Sequence, residues 1–151
     1  SVNQSQIGAS AVTSTELANN AVITDKIATT TLASLNAYDI AFTAGFDKDM
    51  VKENVAVATY GELVMVRAGT FLGESGYADT ASSGTTIVTI QKNGTNIYST
   101  SPQFASSSSI SAGTISTPNF AVNDRITFKV TAIGSTPGQG IRFTLKCKLT
   151  E

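Results

Sequence analysis

The segment Ile141-Arg142-Phe143-Thr144-Leu145-Lys146-Cys147-Lys148-Leu149 alternates apolar and polar side chains without interruption. Successive side chains of a β-strand point to opposite faces, so this segment is predicted to be a strand with one buried and one solvated face. Residues 126–132 alternate in the same way, with Ile126, Phe128 and Val130 on the apolar side. Both segments favour an all-β fold.

Further strands are indicated upstream of these two segments. Residues 86–92 and 96–100 flank Asn93-Gly94-Thr95, and Asn-Gly between apolar runs is a strong hairpin signal. The remaining predicted strands cover residues 38–43, 54–60, 62–70, 103–105 and 114–116. Turn residues predict loops at Gly73-Glu74-Ser75-Gly76, Ser82-Ser83-Gly84, Val122-Asn123-Asp124 and Gly134-Ser135-Thr136-Pro137-Gly138.

The number and spacing of these strands predict the architecture of residues 37–151. About eight strands without a convincing helix indicate a jelly-roll-like antiparallel β-sandwich. An immunoglobulin-like sandwich is the alternative, but the chain contains one cysteine and no tryptophan, so the Cys and Trp pair of antibody domains is missing. We refer to residues 37–151 as the sandwich.

The first 36 residues follow a different pattern and contain no aromatic residue. Seven apolar residues stand five positions apart: Val2, Ile7, Val12, Leu17, Val22, Ile27 and Leu32. Five residues turn a helix by about 140° and reverse the face of a strand, so the spacing fits neither element. The sequence also nearly repeats every ten residues, which indicates a compound unit with an extended part and a brief helical turn.

Such a unit carries too few apolar groups to form a core within one chain and needs neighbours to bury it. Thr13-Ser14-Thr15-Glu16 matches a capping box, which predicts a single helical turn there. Residues 1–36 are therefore predicted to form an extended repeat stem, and the seven apolar residues to serve in trimerisation or anchoring. A disordered tail rich in Ser, Thr, Ala and Asn is the alternative.

The composition disfavours several classes of function. Ten basic and eleven acidic residues give a formal net charge of -1 without a basic stripe, so neither nucleic acid nor an anionic membrane is an expected partner. No long apolar run or signal-peptide pattern predicts membrane insertion or export. Histidine, the commonest general base and metal ligand, is absent. We expect no enzymatic activity, no cofactor and no bound metal.

Three groups of residues are candidate sites. Cys147 falls on the apolar face of the last strand and is expected to be an inert core thiol. Asp47, Asp49 and Glu53 form the densest acidic group, but lysines interrupt it, so a solvated loop is favoured over a metal site. Exposed tyrosines could stack on sugar rings, although scattered tyrosines more often belong to a core edge or an interface. The tyrosines concerned are Tyr60, Tyr77 and Tyr98.

Two parts of the chain resemble phage structural proteins. The pattern Ile7-Gly8-Ala9, Ala11-Val12-Thr13, Leu17-Ala18, Ala21-Val22 and Lys26-Ile27-Ala28 resembles the repeats of phage fibre shafts and related virion proteins. Residues 86–100 and 120–136 look like a β-module often attached to phage structural proteins. Only about three ten-residue units precede the sandwich, which is short for a fibre shaft.

The resemblance implies a non-enzymatic homotrimer on the exterior of a phage virion. A capsid decoration or cement protein, or a short head fibre, fits a short stem with one knob, and its partner would be the major capsid protein or another virion protein. A head- or tail-fibre knob that attaches to a host surface glycan is the alternative. A glycan depolymerase needs only two carboxylates, but the chain is short and shows no obvious acidic pair.

Overall fold

A computed structural model describes residues 36–150 of the chain. The described part is all β and contains eleven strands. Their bounds are β1 Ala37–Ala44, β2 Ala58–Val64, β3 Gly69–Thr80, β4 Thr85–Lys92, β5 Thr95–Asn96, β6 Tyr98–Thr100, β7 Gln103–Ala105, β8 Thr114–Ile115, β9 Asn119–Phe120, β10 Arg125–Ala132 and β11 Gln139–Leu149. The predicted stem and its seven apolar residues lie outside the described residues.

The strands form two larger antiparallel sheets and one ribbon. The four-stranded sheet has the order β1-β11-β3-β9, and the five-stranded sheet has the order β2-β10-β4-β5, with β7 also paired to β4. Strands β6 and β8 make a separate two-stranded ribbon. The predicted all-β class, with antiparallel sheets consistent with a sandwich, is confirmed.

The pairing of the main strands is nested in chain order. The first strand pairs with the last, β2 with β10, β3 with β9 and β4 with β7. Strands β1 to β4 alternate between the two sheets, as do β9 to β11. As a result, both the beginning of β1 and the end of β11 lie at the same end of the four-stranded sheet, where Ala37 faces Lys148.

The core lies between the inward faces of the two sheets. The alternation that predicted β11 and β10 is confirmed, because Ile141, Phe143, Leu145 and Cys147 are buried, as are Ile126, Phe128 and Val130. The Phe128 ring stacks against both Phe42 and Phe143, with its centroid 5.2 Å and 5.0 Å from theirs. These three rings come from strands of both sheets, and their burial contributes to the hydrophobic stabilisation of the core.

The predicted break at Gly61 is wrong. Strand β2 runs through this residue, and the predicted strands at residues 54–60 and 62–70 become β2 and the beginning of β3. A Cβ atom at position 61 would lie 2.9 Å from Cδ1 of Phe42. The glycine therefore serves the packing of an aromatic ring within a strand and does not mark a turn.

The loop predicted at Gly73-Glu74-Ser75-Gly76 is also wrong, because the segment lies inside β3. Gly73 has a φ of +142°, and the register with β11 shifts between Lys146 and Cys147. The glycine therefore permits an irregularity in a continuous strand instead of ending it. The short strand β9 was missed, and residues 96–100 divide between β5 and β6.

The hairpin predicted at Asn93-Gly94 is confirmed, and it joins β4 to β5. Both residues have positive φ, +51° for Asn93 and +86° for Gly94. This backbone matches the twist of the flanking strands and favours Asn and Gly at the two central positions. The sequence signal was reliable here because the turn geometry itself demands these residue types.

Candidate interaction surface

One side of the sandwich is bounded by two long edge strands. Within the described residues, β1 pairs only with β11 and β2 pairs only with β10. The opposite edges of the two sheets are formed by β9, β5 and β7, which have only two or three residues each. We call β1, β2 and the following residues 65–67 the open side.

The two strands of the open side have few of the residues that commonly protect a sheet edge. Neither β1 nor β2 contains a lysine, an arginine or a proline, and each carries a single acid, Asp39 or Glu62. Natural edge strands are usually short or interrupted by lysine, proline or a bulge, because an unpaired edge invites association. The short strands on the opposite side follow this rule, and β1 does not.

An apolar cleft of about 350 Å³ opens on this side. It is lined by Tyr38, Ile40, Leu63, Val64, Met65, Val66, Arg67 and Leu149. Arg67 is the only charged residue in the lining. A concave, mainly apolar surface with a few polar groups at its rim is typical of a binding site.

The two valines that line the cleft are strongly exposed to solvent. Val64 and Val66 are 52% and 80% exposed, whereas Met65 between them is only 4% exposed. Two backbone bonds hold this segment, from the Met65 N–H to the Asp124 carbonyl (2.8 Å) and from the Asn123 N–H to the Met65 carbonyl (2.7 Å). Because Met65 is fixed inward, its two neighbours are directed outward, and the exposed apolar surface is built into the fold.

Tyr38, which lines the cleft, faces Cys147 across the β1–β11 pairing. Burial, and next the neighbouring Cys147, raise the pKa of the Tyr38 hydroxyl to about 12. Burial also raises the pKa of the Cys147 thiol to about 12. Both groups are therefore neutral near pH 7, and Cys147 lies on the buried face as the sequence predicted. A neutral buried thiol is a poor nucleophile.

A buried carboxylate forms a polar network that the sequence did not predict. The Tyr98 hydroxyl donates to Oε2 of Glu74 at 3.0 Å, and the Gly113 N–H donates to Oε1 at 2.5 Å. Burial, and next the charge of Glu74, raise the pKa of the Tyr98 hydroxyl well above its usual range. The network connects β3 to the β6–β8 ribbon, and it uses the acid as a structural hydrogen-bond acceptor.

Asp124 has a similar structural role in the loop between β9 and β10. Its Oδ2 accepts from the Ala121 N–H at 2.8 Å, and its Oδ1 accepts from Nδ2 of Asn93 at 2.7 Å. Asn93 in turn accepts from the Arg125 N–H at 2.9 Å. The bond from the Ala121 N–H, and next the bond from Asn93, hold the pKa of Asp124 below its ordinary value. These bonds connect the Asn93-Gly94 hairpin to the beginning of β10.

The hypothesised surface of three exposed tyrosines is wrong. Tyr98 is 5% exposed and bound to Glu74. Tyr60 is half-buried, and its hydroxyl accepts from the Ala56 N–H at 2.8 Å. Tyr77 is 53% exposed and lies in β3 of the four-stranded sheet, whereas Tyr60 lies in β2 of the five-stranded sheet. The sequence missed this separation because it does not tell which strands share a sheet.

The acidic group of the β1–β2 loop is solvent-exposed, as predicted. Oδ1 of Asp47 accepts from the N–H groups of Asp49 (2.9 Å) and Val51 (2.8 Å), which orders the turn. Between residues 36 and 150, no cluster of three or more His, Cys, Asp or Glu residues has an arrangement that could bind a metal ion. The same part of the chain has no helix with the length and apolarity needed to span a membrane.

Comparison of the chain with protein-family models, with curated proteins and with solved structures gives no match.

Proposed function

We propose that this chain is a non-enzymatic structural protein on the exterior of a phage virion. In this proposal it is a homotrimeric decoration or cement protein that binds the major capsid protein or another head protein and stabilises the head shell. The observation that carries the proposal is the nested pairing of the main strands, and the resemblance of the stem repeats to virion proteins supports it.

The nested pairing supports a jelly roll as the fold of the sandwich. In a jelly roll, eight strands wind so that the first pairs with the last and each inner pair follows in order, which gives two four-stranded layers. The pairs β1–β11, β2–β10, β3–β9 and β4–β7 follow this rule. Jelly rolls occur in viral capsid domains, lectins and cupins. The chain has no histidine, which is the commonest metal ligand in proteins.

The use of the acidic side chains supports a structural role as well. Glu74 and Asp124 bind backbone and side-chain donors of their own chain, and Asp47 orders its own loop. Glu62 accepts from the Thr127 hydroxyl at 3.0 Å. Each of these carboxylates accepts at least one hydrogen bond from its own chain and so stabilises a loop or a sheet.

The stem supplies the proposed mechanism of assembly. Its seven five-spaced apolar residues, from Val2 to Leu32, would be buried between copies at roughly 25 cal/mol per Å². Threefold symmetry would then present three sandwiches to the head lattice and add avidity to a weak individual contact.

Native mass spectrometry and co-sedimentation test this proposal. We expect the full chain to be a trimer and to sediment with head shells of the source phage that lack it, but not with isolated tails. Shells that bind the protein should resist heat or low salt better than bare shells. A monomer at all concentrations, or binding to tails alone, would contradict the proposal.

The alternative, a knob that binds a surface glycan, has one observation in its favour. Tyr77 is exposed opposite Arg142, whose guanidinium pairs with Asp79 at 2.6 Å and lies 4.9 Å from the centroid of the Phe46 ring. Exposed aromatic rings beside a charged pair can bind sugars. A glycan array with the full chain tests this alternative, and Tyr77→Ala should abolish any specific binding.

A further inference from the structure

We propose that the open side is a contact between copies of this chain, with the apolar cleft receiving side chains of a second copy. The inference rests on the proposed homo-oligomer and extends it from the stem to the sandwich. The occupant is a second copy of the same chain, and no other protein is required to cover the valines beside the cleft.

The asymmetry of the sheet edges is the first argument. Seven- and eight-residue strands form the open side, while two- and three-residue strands form the opposite edges. Long edges without lysine or proline are prone to association. This leaves the open side as the part of the described sandwich best suited to an intermolecular contact.

The geometry of β2 determines the kind of contact. Its register with β10 shifts after Phe128. Gly61 pairs with Phe128 and Thr59 pairs with Lys129, so Tyr60 between them has no partner in β10. A bulge of this type twists an edge and hinders the addition of another strand. We therefore expect side-chain packing in the cleft, by Val64 and Val66 in particular, and not an extended sheet between copies.

The point at which the rest of the chain joins the sandwich favours a second copy as occupant. The 35 residues that precede the described part join it at Asn36, whose carbonyl accepts from the Leu149 N–H at 2.9 Å. Leu149 and Tyr38 both line the cleft. Copies that associate through their stems would hold identical clefts near one another at high effective concentration, so even a weak contact would form.

The charges of the open side are compatible with self-association. Arg67 lies in the cleft lining, whereas Asp39 and Glu62 are on the two edge strands. Because both signs are present, a second copy can place an opposite charge near each group. The formal net charge of -1 for the whole chain adds little repulsion between copies.

Val66→Asp in the full chain is the decisive variant, and Val51→Asp is its matched control. Val66 is 80% exposed and Val51 is 61% exposed, so neither change should prevent folding. Val51 lies in the β1–β2 loop, at the opposite end of β1 from the cleft. We expect Val66→Asp to raise the dissociation constant of the oligomer by about tenfold, and Val51→Asp to leave it unchanged.

Hydrogen exchange of the wild-type chain gives a second measurement. Residues 58–67 should exchange more slowly at concentrations where the oligomer forms than in dilute monomer. An oligomer whose affinity is the same in Val66→Asp, with unchanged exchange at residues 58–67, would overturn the cleft contact and leave the proposed function intact. A wild-type chain that is always monomeric would overturn both. If Val66→Asp lost head-shell binding while its oligomer affinity stayed unchanged, the cleft would bind another virion protein. That result would also overturn the inference.

Discussion

At the scale of single residues, a buried carboxylate of the sandwich joins distant segments of the chain through hydrogen bonds. Glu74 is 8% exposed and accepts hydrogen bonds from two donors in a different part of the chain. The cost of burying a carboxylate is offset only while these donors remain in place. The residue is therefore expected to be sensitive to substitution although it has no catalytic partner.

Glu74→Ala should lower the free energy of unfolding by about 2–3 kcal/mol, because the Tyr98 hydroxyl and the Gly113 N–H both lose their acceptor. Tyr98→Phe removes only one of the two bonds and should cost about 1 kcal/mol. Urea unfolding followed by circular dichroism measures both values, with the exposed neighbour variant Ser75→Ala as control. Equal stability of Glu74→Ala and the wild type would show that the network contributes nothing.

Asp124 should make the stability of the sandwich depend on acidic pH. Its pKa in the folded chain lies below the ordinary value of 3.8, so ionisation favours the folded state. This contribution is present above the ordinary value and is lost as the pH falls through the lower, folded-state pKa. Thermal unfolding between about pH 6 and 2 should show a smaller acid-induced loss in Asp124→Asn than in the wild type. Identical pH profiles would argue against this role.

At the scale of strands and turns, glycine is the residue that the sequence left most ambiguous. Asn93-Gly94 was identified correctly because two successive positive φ angles restrict the choice of residues. Gly61 and Gly73 predict breaks, but Gly61 faces an aromatic ring and Gly73 permits an irregularity within a long strand. Local sequence does not distinguish these uses, because the ring and the paired strand come from distant parts of the chain.

Gly61→Ala tests the contact between β2 and the Phe42 ring. The added methyl group would crowd Cδ1 of Phe42, and we expect a loss of about 1–3 kcal/mol in the free energy of unfolding. In a Phe42→Leu background the smaller side chain leaves room, so the same change should cost less. A double-mutant cycle measures this coupling. Equal costs in the two backgrounds would show that the ring does not require a glycine.

At the scale of the whole molecule, the all-β class followed from alternation alone, but the open side did not. The predicted strands 38–43 and 126–132 agree with β1 and β10 because inward and outward residues differ in character. Which strands lie at an edge depends on pairing between segments far apart in sequence. Val64 and Val66 flank Met65 in an apolar run, and local sequence does not distinguish the exposed residues from the buried one.

The stem and the sandwich should respond separately to substitution. Aspartate at both Leu17 and Val22 would place charges where the five-spaced pattern predicts burial between copies, and we expect the trimer to dissociate. The sandwich has its own core, so circular dichroism should still show a β spectrum and cooperative melting. Native mass spectrometry reports the oligomeric state. A trimer that survives both substitutions would remove the stem from the proposed mechanism.

The antiparallel pairing of β1 with β11 also determines how the sandwich responds to a mechanical load. Ala37 and Lys148 face each other at the end where these two strands begin and end, respectively. A force that pulls Ala37 and Lys148 apart would therefore break the β1–β11 hydrogen bonds one after another instead of loading all of them together. Resistance to such a pull is low, because only one pair is loaded at a time.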